Sequence, residues 1–569
     1  MREAASCADD TGAAPNAPSG NGYSDSASIP LRAMERSGLT DTFARDHLPP
    51  TEQWPEFLFE LPELQFAPRL NCAAELLDRA IERGWGERIC VLGEGVSWTY
   101  AQLLAQANRI ARVLVEDMGL VSGNRVLLRG ANSPMLAACW FGVVKAGGIA
   151  VGTMPLLRAR ELTAIVHKAR VSHALCDARL AAELDSARAD CPTLQRVLHF
   201  HDATADGLES RAAAKAPGFE AVDTALDDVC LIAFTSGTTG QPKGTMHFHR
   251  DVMASCLCWP PHVLRATADD RFIGSPPLAF TFGLGGLLLF PMSIGASTVL
   301  LEKATPDVLL AAIAKWRASV CFTAPTSYRA MAAQVKAHDV SSLRKCVSAG
   351  EALPAATRTL WHEATGLQMI DGIGSTELLH IFISATEAQA RGGATGVPVP
   401  GYRACLLDEQ GREVPRGEVG RLAVKGPTGC RYLADERQTH YVQNGWNLTG
   451  DAYRLGEDGQ FEYQARTDDM IISGGYNIAG PEVEAALLLH PAVAECAVIG
   501  ASDEQRGMIV KAFVILKPGH SGDDALVKTL QDFVKQTIAP YKYPRAIEFR
   551  SELPRTETGK LQRFRLRQG

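Results

Sequence analysis

The stretch TSGTTGQPKG, residues 235–244, holds three glycines, four hydroxyl side chains and one lysine, directly after the apolar run 229–234. Successive backbone N–H groups in a glycine-rich loop form a concave anion site, to which hydroxyls add donors and Lys243 adds charge. A polyphosphate is the ligand that suits such a loop. The loop lacks the GxxxxGK[ST] pattern of a Walker A loop. An ordinary surface turn is the alternative, but such turns rarely combine four hydroxyls with a lysine after a buried strand.

Length and composition limit what kind of protein carries this loop. A chain of 569 residues exceeds one ordinary domain, so we expect two or more. The net charge of −7 argues against nucleic acid as the main partner, because binding to a phosphate backbone needs a basic face. The fourteen cysteines form no CxxC and no zinc-type Cys/His spacing, which indicates reduced, buried thiols in a cytoplasmic enzyme.

Two segments could be mistaken for targeting or membrane segments. Residues 1–35 are rich in Ala, Ser, Gly, Asp and Pro without a basic start and apolar core, which predicts a disordered tail rather than a secretory signal. Residues 275–301 carry no charge and are long enough to span a bilayer, but glycines and a proline interrupt them. We therefore expect a buried helix and strand there, and no membrane partner.

The remaining chain predicts the elements that position the loop. Short apolar runs such as 125–130 and 318–325 alternate with helical patterns, one of them begun by a capping box of Thr99 and Gln102. This alternation is typical of parallel α/β units. From about Gly396, frequent Gly and Asp turns indicate antiparallel strands.

After Asp468 the pattern indicates a smaller unit, with Pro481 at the first position of a helix and a second helix over 526–538. The predicted fold class is therefore α/β. A large N-terminal body, 36–467, consists of parallel α/β subdomains plus a β-rich subdomain, and a small mobile α+β domain occupies 468–569.

The loop resembles the phosphate loop of the adenylate-forming (acyl-CoA synthetase) superfamily. Four further stretches resemble motifs of that superfamily in the same order: GIGSTE (372–377), WNLTGD (446–451), ARTDDMIISGGYNIAGPEVE (465–484) and LPRTETGKLQR (553–563). Five motifs in register make coincidence improbable. Within the superfamily, GTMHFHRD, PPLAFTFGLGG, DGIGSTELLHIF and LPPTEQWPEFLF most resemble benzoate-CoA ligases and 2-aminobenzoate-CoA ligases.

The resemblance implies ATP, Mg²⁺ and CoA as cofactors or co-substrates, and it assigns the nucleotide contacts by motif. The β- and γ-phosphates would be held by Thr235, Ser236, Gly237, Thr238, Thr239 and Lys243. Thr376 would contact the α-phosphate, Glu377 would hold Mg²⁺, and Asp451, assisted by Arg466, would accept the ribose hydroxyls. The adenine would be lined by Gly350, Glu351 and Ala352. Ile373 stands where many relatives have an aromatic ring, so stacking on the adenine is not implied there.

The resemblance implies that Lys560 is a catalytic residue. Attack of a carboxylate on the α-phosphate gathers negative charge, which a lysine can neutralise as it develops. The C-terminal domain would then turn about Asp468 and bring Gly474 and Gly475 beside the pantetheine arm of CoA. Arg506 is a candidate contact for the CoA phosphates. The alternative for both basic residues is simple solvation, since 535–569 is generally basic.

The predicted reaction joins an aromatic carboxylate, benzoate or 2-aminobenzoate, to CoA through an acyl-AMP. The acid pocket would be lined by Phe280, Thr281, Phe282, Gly374, His380 and Ile381. The Thr281 hydroxyl would bond an ortho-amino group, or else serve only as a small packing residue. His247 and His249 are equally open between packing and substrate contact.

Several alternatives stay open from the sequence. The acid could be another aromatic or an aliphatic one, and the acyl group could pass to a carrier protein instead of CoA. A non-catalytic nucleotide-binding protein is a third reading, against which the presence of Lys243, Glu377, Asp451 and Lys560 argues. The sequence predicts nothing about oligomeric state.

Overall fold

The computed structural model describes residues 34–235, 242–467, 469–473, 476–503, 507–538, 540–555 and 561–567. The chain divides into two units, Met1–Glu35 and Arg36–Gly569, and the architecture below is that of the second. Up to residue 33, the predicted N-terminal tail lies outside the described residues. The predicted domain boundaries at 35/36 and 467/468 stay predictions.

A six-stranded sheet carries the glycine-rich loop. In spatial order its strands are Arg196–Phe200, His173–Asp177, Arg125–Arg129, Ile149–Thr153, Val229–Thr235 and Lys243–Phe248. The first five strands run parallel, and the last is antiparallel to its neighbour. Helices cover the sheet, so that strands such as Arg125–Arg129 are buried along their whole length.

A nine-stranded mixed sheet supplies most of the other predicted site residues. In spatial order its strands are Val397–Pro398, Ile381–Ser384, Met369–Gly374, Lys345–Ser348, Val320–Thr323, Arg271–Gly274, Ser297–Val299, Ile89–Gly93 and Val96–Thr99. The central strands, from Met369–Gly374 to Ile89–Gly93, are parallel to one another. Loops that leave the carboxyl ends of parallel strands are the usual place for ligand sites in α/β folds.

Two further sheets follow along the chain. The β-rich sheet is antiparallel and consists of Arg403–Leu407, Val419–Lys425, Val442–Gln443, Trp446–Leu455 and Phe461–Arg466. The C-terminal sheet consists of Ile471–Ser473, Tyr476–Ile478, Val493–Asp503, Gly507–Leu516 and Ala546–Phe549. The predicted α/β class, with its parallel body, β-rich part and small α+β part, is confirmed.

Helices of at least eight residues pack on these sheets. They are Cys72–Glu82, Tyr100–Arg112, Pro134–Lys145, Ala159–Ala169, Ala181–Arg188, His249–Trp259, Pro306–Trp316, Pro325–Ala332, Ala355–Thr365, Gly480–Leu488 and Asp524–Thr537. Shorter α-helices span Phe43–Asp46, Leu208–Ala213, Thr281–Leu284, Phe290–Ser293, Gln438–Tyr441 and Arg563–Arg567. A π-helical turn, Gly285–Leu289, joins Thr281–Leu284 to Phe290–Ser293 into one buried helical segment.

Several local predictions can be compared with these elements. The capping box of Thr99 and Gln102 is confirmed at the start of Tyr100–Arg112. Pro481 stands one place later than predicted, because its helix begins at Gly480. The uncharged stretch 275–301 forms the predicted buried helix and strand. Among the described residues, no helix has both the length and the apolar character needed to cross a bilayer.

Candidate active site

The two ends of the glycine-rich loop are held together by strand pairing. Thr235 lies opposite Lys243 in the antiparallel pair of Val229–Thr235 and Lys243–Phe248. Residues 236–241 connect these ends, and the predicted phosphate contacts Ser236, Gly237, Thr238 and Thr239 lie outside the described residues. The loop therefore leaves the end of a buried strand, as the sequence predicts, with the lysine fixed at its return.

The turn that holds Thr376 and Glu377 follows the strand Met369–Gly374 at the carboxyl edge of the nine-stranded sheet. Nε2 of His247 lies 2.8 Å from the carbonyl oxygen of Thr376, so the strand next to the loop also holds this turn. Leu379 has a φ of 71°, which costs a non-glycine residue conformational energy. The surrounding contacts therefore offset this cost in the folded protein.

Tyr432 links Lys243 to Glu377, and sequence reasoning missed it. Its hydroxyl donates to Oε1 of Glu377 at 2.5 Å, and Nζ of Lys243 donates to the same hydroxyl oxygen at 3.2 Å. Tyr432 stands in the stretch GCRYLAD, which contains no pattern that marks a site. Only the fold brings it beside two residues that lie 189 and 55 positions away in the chain.

Glu377 fits the requirement of a Mg²⁺ ligand. Glu377 is only 7% exposed, and its Oε2 makes no hydrogen bond to the described residues. A carboxylate oxygen is the hard, anionic ligand that Mg²⁺ prefers, and one or two such groups are typical of nucleotide sites. The donor set at this turn therefore suits the metal that accompanies ATP.

The predicted ribose contacts lie together on the β-rich sheet. Asp451 is opposite Arg466 in neighbouring strands, with Nη1 of the arginine 3.2 Å from Oδ1 of the aspartate. Nη1 also donates to the carbonyl oxygen of Thr449 at 2.9 Å. Asp451 is only 8% exposed, so little water reaches its carboxylate.

The predicted adenine segment and the turn of Thr376 leave the same edge of the nine-stranded sheet. Gly350, Glu351 and Ala352 follow the strand Lys345–Ser348, which is the parallel neighbour of Met369–Gly374. Gly350 has a φ of 90°, a conformation that favours glycine. These segments are therefore adjacent at the carboxyl ends of two paired strands.

Asp371 is a second residue that the sequence analysis did not single out. It lies on Met369–Gly374 and is 7% exposed, and its Oδ1 has no hydrogen-bond partner among the described residues. Burial raises the pKa of this carboxyl to about 7, although Arg358 acts in the opposite direction. At neutral pH this buried carboxyl group on Met369–Gly374 is therefore divided between its protonated and ionised forms.

His380 stands within an aromatic cluster on the acid side. Its ring centroid lies 4.4 Å from that of Phe290 and 5.8 Å from those of Phe282 and Trp259. Neither ring nitrogen has a hydrogen-bond partner of normal geometry among the described residues. Burial lowers the pKa of His380 to about 3, so the imidazole is neutral at physiological pH.

The six predicted pocket residues divide between two faces of the helical segment that begins at Thr281. On one face, Phe282 contacts His380, and Gly374 is paired with Ile381 beside it. On the other, Phe280 and Thr281 line a small, partly open cavity of about 20 Å³. Its remaining wall is apolar and consists of Leu128, Leu136, Trp140, Gly152, Leu231, Ala233, Leu278, Ala279, Leu284 and Leu288.

Contacts of the C-terminal part reach the predicted nucleotide residues. Nη1 of Arg555 lies 3.5 Å from Oε1 of Glu351, and the same guanidinium pairs with Glu495. Arg567 pairs with Asp469. The predicted hinge, CoA and catalytic residues Asp468, Gly474, Gly475, Arg506 and Lys560 lie outside the described residues.

Comparison with known families matches most of this architecture. Residues 77–432 match the model of the AMP-binding enzyme family, and residues 482–560 match that of the AMP-binding enzyme C-terminal domain. The benzoate–CoA ligase of Thauera aromatica is 35% identical, over 89% of this chain and 97% of that protein.

Solved structures give the same relationship. The anthranilate CoA ligase AuaEII, in complex with anthranoyl-AMP, matches with a TM-score of 0.85 at 36% identity, over 89% of this chain and 98% of that chain. A benzoate CoA ligase from Burkholderia xenovorans LB400 matches with a TM-score of 0.80 at 32% identity, over 87% and 99%. At these identities and coverages the similarity extends from fold to family.

Proposed function

The chain belongs to the AMP-binding enzyme family and is an AMP-forming acid–thiol ligase with ATP and CoA as substrates, and on this premise we propose that its acid is a small aromatic carboxylate. The observation that carries the proposal is the stretch Gly374–His380. It has the α-phosphate and Mg²⁺ candidates, Thr376 and Glu377, near its start and the aromatic cluster at His380 at its end. A ring held at that cluster would place its carboxylate beside the nucleotide.

The rings around His380 support an aromatic rather than an aliphatic acid. Phe282, Phe290 and Trp259 surround the imidazole with faces and edges, which suit a flat ring in an offset or edge-to-face arrangement. Relatives described as ligases of benzoate and of anthranilate have the same fold and more than 30% identity. Phe280 and Thr281 line the neighbouring cavity, which a ring substituent would border.

In the first half-reaction the chain's residues bind and orient ATP and stabilise charge. Lys243 and the loop after Thr235 hold the β- and γ-phosphates, Asp451 with Arg466 holds the ribose, and Glu377 would hold Mg²⁺, which when bound neutralises phosphate charge. Thr376 contacts the α-phosphate that the carboxylate attacks. Lys560 stabilises the charge that develops during this attack.

In the second half-reaction the CoA thiol displaces AMP from the acyl-AMP. AMP is a good leaving group, so no protein nucleophile is required. The C-terminal domain turns about Asp468, which withdraws Lys560 and brings Gly474 and Gly475 to the pantetheine arm, with Arg506 near the CoA phosphates. Glu351 holds Arg555 in the arrangement described above, and this contact would have to break in the turn.

Within the aromatic acids, 2-aminobenzoate is the finer proposal. The Thr281 hydroxyl stands at the start of the helical segment and is 8% exposed as a residue. It would accept a hydrogen bond from an ortho-amino group. Thr281→Ala should then lower kcat/KM for 2-aminobenzoate by about tenfold, as expected for one lost hydrogen bond, and leave benzoate nearly unchanged. Equal losses on both acids would contradict this proposal.

A panel of acids tests the substrate class. Purified protein is given ATP, Mg²⁺ and CoA with benzoate, 2-aminobenzoate, hexanoate or octanoate, and AMP formation is measured. We expect the aromatic acids to have at least about tenfold higher kcat/KM, because the pocket rejects a flexible chain. Higher values for the aliphatic acids would reject the aromatic assignment, and AMP formation that stops after one turnover with free CoA would point to a carrier protein. Lys560→Ala is the control and should lose about 10²–10³-fold in acid-dependent AMP formation.

A further inference from the structure

The segment that contains Tyr432 runs beside the strand that begins at Lys243. The Leu433 N–H donates to the Gly244 carbonyl at 2.8 Å, and the Met246 N–H donates to the Arg431 carbonyl at 2.8 Å. Thr245 and Tyr432 form an antiparallel bridge between these two bonds. The backbone of Tyr432 is therefore fixed relative to the lysine at the return of the glycine-rich loop.

The side chain of Tyr432 is held equally firmly. Its residue is fully buried, and its ring makes an edge contact with Tyr441 at a centroid distance of 5.8 Å. The Tyr432 N–H donates to Oε1 of Gln438 at 2.9 Å, and Nε2 of Gln438 donates to the Cys430 carbonyl at 3.1 Å. The phenol oxygen thus has a defined position within the fold.

The direction of the two hydrogen bonds at the phenol follows from chemistry. Lys243 has only N–H donors, so the phenol oxygen must accept from it, and the single phenol proton is then left for Glu377. Oε1 of Glu377 is therefore the oxygen that accepts the phenol proton.

We propose that Tyr432 is a positioning residue that orients Glu377 so that Oε2 is the oxygen presented to Mg²⁺. Mg²⁺ demands nearly ideal octahedral geometry and tolerates misdirected ligands poorly, so a fixed carboxylate plane increases its affinity. The bond from Lys243 contributes by keeping the phenol proton on the glutamate side. One tyrosine thereby couples the phosphate lysine to the metal carboxylate.

Removal of the hydroxyl alone tests the proposal without any acid substrate. MgATP binding to the acid-free protein is measured by calorimetry over a series of Mg²⁺ concentrations, for wild type, Tyr432→Phe and Tyr441→Phe. Loss of a group that orients a metal ligand typically weakens metal binding 10–100-fold. We expect Tyr432→Phe to raise the Mg²⁺ concentration at half-maximal ATP binding by about that factor, and to change metal-free ATP binding less than threefold.

Tyr441→Phe is the matched control. Tyr441 contacts the Tyr432 ring, and its hydroxyl lies 3.3 Å from Oγ of Ser375, but it makes no hydrogen bond to Glu377 or Lys243 among the described residues. It should leave the Mg²⁺ requirement unchanged. An unchanged requirement in Tyr432→Phe, or equal losses of ATP affinity with and without Mg²⁺, would overturn the proposal.

A double-mutant cycle keeps the proposal testable if the single variant is destabilised. Glu377→Gln removes the carboxylate that Tyr432 is proposed to orient. Tyr432→Phe should then add no further Mg²⁺-dependent loss in the Glu377→Gln background, whereas additive losses would overturn the coupling. Both readouts use ATP binding alone, so they are independent of which acid the enzyme activates. A failure here therefore leaves the aromatic assignment to its own experiment.

Discussion

The nucleotide side and the acid side of the candidate site are built in different ways. On the nucleotide side, Lys243, Tyr432 and Glu377 are joined by hydrogen bonds of 3.2 and 2.5 Å, and His247 holds the carbonyl of Thr376 at 2.8 Å. On the acid side, His380 is surrounded by rings and makes no hydrogen bond of normal geometry to the described residues. Directed bonds define the first region and shape defines the second.

This difference indicates which changes each side tolerates. A hydrogen-bonded constellation works only when every member has its orientation, so single substitutions there should reduce reaction with every acid. An aromatic wall can be repacked with residues of similar volume, so substitutions there should change which acid is preferred. Three predictions test the contrast.

The largest effect is expected where the nucleotide side is anchored. Asp251 and Arg431 form an ion pair in which both side chains are fully buried. Arg431 is the residue immediately before Tyr432 in the chain. Asp251→Asn leaves the guanidinium charge uncompensated, so the free energy of unfolding should fall by about 3–5 kcal/mol, measured by urea denaturation. The control is Glu60→Gln in the exposed pair with Arg403, which should cost less than about 1 kcal/mol. Equal losses would mean that the buried pair anchors nothing.

A smaller effect is expected on the acid side. His380→Phe keeps a ring among Phe282, Phe290 and Trp259 but removes both ring nitrogens. These nitrogens make no hydrogen bond of normal geometry to the described residues, and under the proposed function one of them would meet a polar substituent of the acid. We expect kcat/KM for 2-aminobenzoate to fall about tenfold relative to benzoate, which corresponds to one hydrogen bond. If kcat/KM fell by the same factor for both acids, His380 would contribute only packing, and the contrast between the two sides would weaken.

A third effect is a pH dependence of the free energy of unfolding on the nucleotide side. The pKa of Asp371 is about 7 in the folded protein because of burial, against about 3.8 unfolded, so between pH 4 and 7 the folded state holds a proton that the unfolded state has released. This contribution to stability is therefore present at low pH and is lost as the pH rises, by at most about 1.4 kcal/mol per pH unit. Asp371→Asn should flatten this slope in urea titrations at pH 4, 5.5 and 7. An unchanged slope would place the titration elsewhere.

The sequence predicted those features that depend on neighbours along the chain. The buried strand before the glycine-rich stretch, the capping box at Thr99 and the helix and strand within 275–301 are local patterns, and the structure has them. The position of Pro481 was wrong by one residue because helix ends depend on hydrogen bonds that a pattern does not specify.

Features that depend on distant contacts could not be predicted. Tyr432 gains its place only because 431–433 pairs with 244–246, and His247 acts on Thr376 across 129 positions of sequence. The division of the predicted acid pocket between two faces could have been predicted from helical spacing. Thr281, Leu284 and Leu288 recur at this spacing and face the cavity together. Phe282 falls between these positions and therefore turns towards His380.

Gly285 has no room for a side chain, which limits how the acid preference can be re-engineered. A methyl group at that position would lie 2.4 Å from Cδ2 of His380, which is shorter than any real contact between such atoms. Libraries aimed at new substrates should therefore leave codon 285 untouched and randomise the opposite face of the same segment, at Leu284 and Leu288. Substitutions at these two positions would enlarge or reduce the neighbouring cavity without displacing the imidazole of His380.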